Sequence, residues 1–337
     1  MAATMQDVAA RAGVSKSTVS HVLNRTRFVE LETEARVRQA IQELGYRPNL
    51  FARSLRRRET STIGLMVPHI ASPFWFQLVC TVEHTVSASG YYLLLGNSNW
   101  FTDQERNWVD MLLAKQLDGI VLALAHVNDA DLSEVIAAEV PVVLINEIAG
   151  GFPVSTVVVD GYRGGYLAGE YLARLGHRRA GCITSPSGSK ACVRAAGFRQ
   201  AFADAGVPLP DAAFVTGDFE FESGVTGIQE LLQRDPELTA VFAANDAMAM
   251  GVLKQLYRMR RRVPEDISVV GFDNISGTTA ITPEITTVAQ PINEIGAAVM
   301  RLLIDQITHR CIDPQTVVLQ PTLVERESCR AITRPLC

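Results

Sequence analysis

The sequence predicts two folds in one chain: an all-α helix-turn-helix headpiece, then an α/β core of two doubly wound lobes. Three observations carry this. Residues 4–55 place their apolar residues at helical spacing around one glycine turn. From Thr62 the pattern changes to short apolar runs alternating with helical stretches. That alternation then runs twice, and 337 residues with 47% hydrophobic content exceed one ordinary core and allow two or three to pack well. The boundaries predicted are a headpiece over 1–48, a hinge helix and linker over 49–61, and a core over 62–337. Within the core, the first lobe takes about 62–160 and 291–320, and the second about 161–290.

The first helix starts at Thr4. Thr4-Met5-Gln6-Asp7 has the Ser/Thr-x-x-Asp/Glu form of a capping box, in which the Thr4 hydroxyl accepts from an orphan backbone N–H and Asp7 favours the helix N-terminus. Val8 and Ala12 share one face of that helix. Ala12-Gly13-Val14-Ser15 makes a tight turn, with Gly13 able to take the left-handed conformation and Ser15 placed to cap the next helix. In the second helix Val19, Val22 and Leu23 have i, i+3, i+4 spacing and point into a core, leaving Lys16, Ser17 and His21 outside. Such a helix enters the major groove of DNA by its N-terminal residues. There Lys can bond guanine O6/N7, Ser can donate or accept, and His can reach a base edge or a phosphate. A third helix from about Glu32 to Leu44 closes the core with Val37, Ile41 and Leu44. A short helical pattern then opens after Pro48 and runs through Leu55 into Arg56-Arg57-Arg58.

Charge divides along the same boundary. Residues 1–60 hold 11 Lys/Arg against 6 Asp/Glu, whereas the rest holds 20 against 30. Only the headpiece is basic, as a protein needs if one end touches phosphates and the rest must stay off the polymer. The six cysteines, at 80, 182, 192, 311, 329 and 337, form no Cys-x-x-Cys pair or zinc spacing and read as reduced core thiols. There is no basic leader with an apolar stretch and no apolar run of about 18 residues, so a cytoplasmic protein without membrane contact is expected.

The core reads in order as strand Ile63–Val67, a helix through Val79 to Ser89, strand Tyr91–Leu95, a helix near Glu105 to Lys115, and strands Gly119–Leu124, Pro141–Ile145 and Val157–Val159. The second run follows after Gly161. It comprises a helix with Tyr166 to Leu175, strand Ala180–Thr184, a helix near Val193 to Ala205, strand Phe214–Thr216, a helix near Gly224 to Gln233, strand Ala240–Ala243, a helix to about Tyr257, and strand Ser268–Phe272. A helix over Pro291 to Thr308 and strand Val317–Leu319 return to the first lobe. Parallel sheets covered on both faces are implied.

Open parallel sheets bind ligands beyond the carboxyl ends of their strands. The residues there are polar or aromatic: Ala71-Ser72-Pro73-Phe74-Trp75-Phe76, Asn97-Ser98-Asn99-Trp100, Asn146-Glu147, Ser185 to Cys192, Asp218-Phe219, Asn245-Asp246, Asp273-Asn274 and Gln290. A flat aromatic can stack on a sugar face or a base while Asn, Asp and Gln fix hydroxyls or ring nitrogens. Any one of them also reads as a turn former, a helix cap or core; their recurrence at successive strand ends favours a site.

Several segments resemble the lac repressor (LacI/GalR) family of bacterial regulators: Asp7-Val8-Ala9, Ala12-Gly13-Val14-Ser15, Thr18-Val19-Ser20-His21-Val22-Leu23-Asn24 and Ala52-Arg53-Ser54-Leu55. The resemblance covers nearly the whole chain and implies a periplasmic-binding-protein-like core of two lobes with a crevice between them. It implies DNA contacts by Thr4, Ser15, Lys16, Ser17, Thr18, His21, Asn24, Tyr46 and Arg53, and places Leu55 where the family wedges a leucine between base pairs. It further implies effector contacts by Phe74, Trp75, Phe219, Asn245, Asp273 and Gln290, to which position at or near the strand ends adds Ser72, Asn99, Asn146, Lys190 and Arg194 as candidates. Gly217-Asp218-Phe219-Glu220, Asn245-Asp246-Ala247-Met248-Ala249 and His21 look most like the ribose and purine repressors of that family. Two positions depart from its sugar-binding members: Cys192 stands where they usually carry arginine, and Asn146 where many carry aspartate.

The expected function is therefore a ligand-responsive, sequence-specific DNA-binding repressor of a carbohydrate catabolic operon. The expected effector is ribose or another sugar or sugar derivative; the alternative is a purine-type corepressor, and behind it a sugar acid or sugar phosphate, for which Lys190 would supply a cation. Two headpieces reading a near-palindromic operator require a homodimer. The last residues carry no leucine heptad of the kind that joins dimers into tetramers. An enzyme is not expected, because no Gly-x-Gly-x-x-Gly, Gly-x-x-x-x-Gly-Lys-Ser/Thr or Gly-x-Ser-x-Gly motif is present, and no cofactor or metal is implied.

Overall fold

The computed structural model describes residues 3–24, 27–46, 60–123, 129–145, 153–184, 190–309 and 313–332. The chain divides into two compact units, Met1–Thr60 and Ser61–Cys337. The first is a three-helix unit of α1 (Met5–Ala12), α2 (Lys16–Asn24) and α3 (Leu31–Glu43). The capping box forms as expected: Thr4 accepts from the Asp7 amide at 3.3 Å, and the Asp7 carboxylate accepts from the Thr4 amide at 2.8 Å. Asp7 is correspondingly held below its ordinary carboxyl pKa by the Thr4 side-chain and backbone donors. Gly13 ends α1 in the left-handed region at φ 66°. Val8, Ala9, Ala12, Val19, Val22, Val37 and Ala40 close the core, with Leu23, Ile41, Leu44 and Tyr46 packed around it.

The second unit holds two sheets. The first lobe is laid out as β1 (Thr62–Val67), α4 (Pro73–Ala88), β2 (Tyr92–Asn97), α5 (Thr102–Ala114), β3 (Gly119–Leu122), α6 (Asp129–Ala137), β4 (Val142–Ile145) and β5 (Ser155–Val159). The second follows as α7 (Gly161–Arg174), β6 (Ala180–Thr184), α8 (Lys190–Asp204), β7 (Phe214–Thr216), α9 (Phe221–Arg234), β8 (Ala240–Ala243), α10 (Asp246–Arg258), β9 (Ser268–Asp273) and β10 (Thr286–Ala289). The chain then returns through α11 (Ile292–His309) and β11 (Thr316–Leu319) to the first sheet and crosses again to β12 (Thr322–Val324) in the second.

Strand order is β11-β5-β4-β3-β1-β2 in one sheet and β12-β10-β9-β8-β6-β7 in the other, all parallel except β12, which runs antiparallel to β10. The central strands are buried on both faces, so the period-two alternation separates two apolar layers rather than core from solvent. In β8, Val241 and Ala243 face α9 and α10, while Ala240 and Phe242 face α7 and α8. Order reverses between β1 and β3 and between β6 and β8, the places where such sheets open a crevice.

Helix pairs in the second lobe touch backbone to backbone. A Cβ added at Gly165 of α7 would lie 1.8 Å from the Arg194 carbonyl oxygen of α8, and one at Gly197 would lie 2.0 Å from the Tyr162 carbonyl oxygen. Gly224 of α9 and Gly251 of α10 make the same notch, 2.0 Å from the Met248 and 2.1 Å from the Phe221 carbonyl oxygens.

Several elements differ from the sequence-based expectation. Helix α4 begins at Pro73 rather than near Val79, because proline at the first helical position starts it and Phe74-Trp75-Phe76 carries no 3.6-residue period. Helix α7 starts at Gly161, α9 at Phe221, and α6, β10 and β12 appear where no element was expected; β12 has only three residues and lies too close to β11 for pattern to separate them. No helix among the described residues is long and apolar enough to cross a membrane. The hinge, with Arg53 and Leu55, lies outside the described residues.

Candidate functional site

The N-terminus of α2 gathers hydroxyls. Ser15 Oγ lies 2.7 Å from Ser17 Oγ and 2.8 Å from Thr18 Oγ1, and it accepts from the Thr18 amide at 3.0 Å, the capping bond that starts the helix. Lys16 and Ser17 are exposed beside it, Thr18 and His21 half-buried. Thr4 is engaged in its own cap, its hydroxyl donating to Asp7 at 2.7 Å, and Tyr46 packs against the headpiece core. The side chain of Asn24, which ends α2, lies outside the described set. The face therefore offers an exposed cation flanked by hydroxyls at a helix N-terminus, a combination that suits phosphates and base edges alike.

In the core, the carboxyl ends of the two sheets face each other. Trp100, past the end of β2, has its ring 6.3 Å from that of Phe219, past the end of β7, at an interplanar angle of 9°. His69, past β1, has its ring 6.3 Å from that of Trp100, and its Nε2 is 3.8 Å from the Glu220 carboxylate of the second lobe. Asn99, exposed, accepts from Asn97 at 2.7 Å, and Ser72 is half-buried just before α4.

A buried polar cluster lies in the second lobe. The Gln290 amide donates to Asp273 Oδ1 at 2.7 Å, and the Arg194 guanidinium is 3.7 Å from the same oxygen. Arg194 lies over Phe272, 3.6 Å from its ring centroid, and donates to the Ala244 carbonyl. Behind it Asp246 accepts from the Thr287 hydroxyl at 2.6 Å and from the Ile275 amide at 2.9 Å. Burial pushes both carboxyls up, Asp273 to about 6 and Asp246 to about 8; the Asp273 charge adds to the rise at Asp246, while Arg194 and the Gln290 amide restrain Asp273. Burial also lowers the pKa of Arg194, against the pull of both carboxylates.

Gln290 Oε1 and Arg194 Nε are buried without a hydrogen-bond partner, one acceptor and one donor. Asp273, Asn274, Gln290, Pro291, Ile292, Asn293 and Glu294 line a cavity of about 300 Å³ here.

Of the expected effector residues, Phe219, Arg194, Asp273 and Gln290 converge on these strand ends. Asn245 sits among them but uses both ends of its amide within the lobe: Oδ1 caps α10 by accepting from Met248 at 2.9 Å, and Nδ2 donates to the Phe219 carbonyl at 2.8 Å. Phe74 and Trp75 are buried edge to face, 5.0 Å apart, in the first lobe's apolar cluster. Cys192 is a half-buried thiol in α8. Asn146 and the side chain of Lys190 lie outside the described residues. Sequence reasoning placed Trp100 and Asp246 in its strand-end stretches and Glu220 in a motif of the resemblance without assigning any of them an effector contact, and it did not single out His69.

Residues 4–49 match the family described as bacterial regulatory proteins, lacI family, and residues 169–329 match the periplasmic binding protein-like domain. The HTH-type transcriptional repressor PurR of Erwinia tasmaniensis is 40% identical over 330 residues, covering 97% of this chain and 96% of that one. Among solved structures, the transcriptional regulator CelR in complex with cellobiose is 35% identical with TM-score 0.75, over 97% of this chain and 99% of that one. The lac repressor dimer bound to operator and the anti-inducer ONPF is 28% identical with TM-score 0.86, over 98% of this chain and 100% of that one.

Proposed function

The chain belongs to the LacI family of bacterial regulatory proteins, and from that premise we propose that it is a purine-responsive repressor, binding operator DNA as a homodimer in the cytoplasm. The headpiece reads one operator half-site through Lys16, Ser17 and His21, with Ser15, Thr18, Thr4, Asn24, Tyr46 and Arg53 on the flanking backbone and Leu55 as the central wedge. The effector occupies the crevice of the core. Its chemistry is binding, not turnover.

The observation that carries the purine reading over the ribose reading is the 40% identity to PurR over 330 residues, a span that takes in both headpiece and core. Site chemistry agrees. Phe219 offers a flat face, Asp273 and the unpaired Gln290 Oε1 accept hydrogen bonds, and Arg194 Nε donates one. A purine presents ring N–H donors, ring and exocyclic acceptors and a planar surface suited to such a set. As a corepressor it would bind the DNA-competent lobe arrangement more tightly and so raise operator affinity.

Likeness to the CelR–cellobiose complex favours a second reading, a di- or monosaccharide in the same crevice. Thermal unfolding against hypoxanthine, guanine, ribose and cellobiose separates the two. A ligand at about 100 times its dissociation constant adds about 2.7 kcal/mol. Stabilisation by a purine, with tighter operator binding in its presence, is expected; stabilisation by a saccharide and by neither purine would overturn the purine reading in favour of the second.

A further inference from the structure

Trp100 and Phe219 are both held where bulky residues rarely sit. Asn99, Trp100 and Phe219 have left-handed backbone, at φ 51°, 64° and 71°. Such conformations persist at non-glycine residues where the surroundings impose them, and they gather at ligand clamps.

The surroundings are specific on each side. In the first lobe the Trp100 amide donates to the Pro68 carbonyl at 3.0 Å and the Ser98 amide to Val67 at 3.1 Å. Asn97 accepts from the Ile70 amide at 3.1 Å and donates to Asn99 at 2.7 Å, so the segments after β1 and β2 form one braced unit. In the second lobe Asn245 fixes the Phe219 carbonyl at 2.8 Å, and the Glu220 amide donates to Asp218 at 2.9 Å. The product of both strained turns is a parallel ring pair spanning the crevice, with His69 and Glu220 beside it.

We propose that Trp100 is the first lobe's half of an aromatic clamp with Phe219, which selects a flat heteroaromatic ligand and ties its binding to closure of the lobes. The clamp rests on the crevice being the effector site. A ligand held by one lobe alone shifts no equilibrium between open and closed arrangements; differential contact in the closed form is required. The buried polar cluster belongs to the second lobe, so a ring delivered from the first supplies that difference. Stacking also discriminates by shape, because a plane on Phe219 extends the parallel arrangement whereas a puckered saccharide interrupts it.

The test has two arms on the full-length protein. Calorimetric titration of hypoxanthine and guanine compares wild type with Trp100→Ala, Trp100→Phe, Phe219→Ala and the Trp100→Ala/Phe219→Ala double variant. Trp100→Ala is expected to weaken purine binding about tenfold or more and Trp100→Phe by about threefold or less, a tenfold change being about 1.4 kcal/mol. The double variant should lose less than the sum of the singles, since the rings act as a unit. Unchanged affinity in Trp100→Ala, or additive losses, overturns the clamp and leaves the purine reading standing.

The second arm needs no ligand. Small-angle scattering of Trp100→Ala should show a larger radius of gyration than wild type, with Trp100→Phe restoring the wild-type value. If neither purine binds wild type, the purine reading fails; an unchanged scattering profile in Trp100→Ala would then overturn the clamp as well.

Discussion

Lys16 and Asp246 show opposite treatments of charge at single residues. Lys16 is exposed at the start of α2, so its ammonium is available for a partner outside the chain. Lys16→Ala should lower affinity for the cognate operator by about 1–3 kcal/mol while relaxing preference at one half-site position. Equal losses on all DNA sequences in a fluorescence anisotropy series would identify a phosphate contact instead. Asp246 is buried with its carboxyl raised to about 8 by desolvation first and the Asp273 charge second. A carboxyl whose folded pKa lies above its unfolded value binds more protons when folded, so its contribution is full below the ordinary carboxylate range and is lost as pH rises through the folded value. Stability should therefore decline as pH rises from the ordinary carboxylate range toward about 8, the interacting pair losing its protons in two steps near about 6 and about 8. Asp246→Asn should flatten the upper part of that decline in urea unfolding series spanning both values, and a slope equal to that of wild type would remove Asp246 as its source.

At the scale of elements, glycine spacing decides how close helices come and hence where Arg194 points. Helices α7 and α8 meet at Gly165 and Gly197, where an added Cβ would fall on a backbone oxygen. Neither oxygen can yield as a flexible side chain would, so the helices must part. Gly165→Ala is expected to destabilise by about 1–3 kcal/mol and to weaken ligand binding by shifting the Arg194 backbone. Gly206, after α8, has φ 72°, and a Cβ there would meet nothing within 4 Å, so Gly206→Ala should cost stability through backbone strain alone and leave ligand affinity at the wild-type value. Equal effects of the two substitutions on ligand affinity would break the link from helix notch to site. The capping box of α1 was legible because its donors and acceptors lie three residues apart; the notches were not, because each pairs residues about thirty apart on different helices.

For the whole molecule, the division of charge predicts two different salt responses. The first 60 residues carry the basic excess and the remainder the acidic one. Operator affinity should fall by about 10³-fold or more between roughly 50 and 200 mM salt if about six or more phosphates are contacted. If the effector is an uncharged purine, as proposed, its binding to the crevice should change little over that range. Leu55→Ala should weaken operator binding while leaving that purine affinity intact, and unimpaired operator binding by the variant would remove the wedge from the mechanism.

By itself the sequence determined the order and type of nearly every element, the division into headpiece and core, and the family. These depend on periodicities, caps and motifs that span a few neighbouring residues, or on charge summed over a segment. Tertiary structure decided what the strand-end residues do. Phe74 and Trp75 joined an apolar core because α4 starts at Pro73 and turns them inward, and Asn245 became a helix cap. Trp100 faced Phe219 because two sheets, each wound separately, bring turns 119 residues apart into register across a crevice. Helical and strand periods describe a residue's own element; which residue of a distant turn lies opposite is set by packing of the two lobes, and no local pattern encodes it.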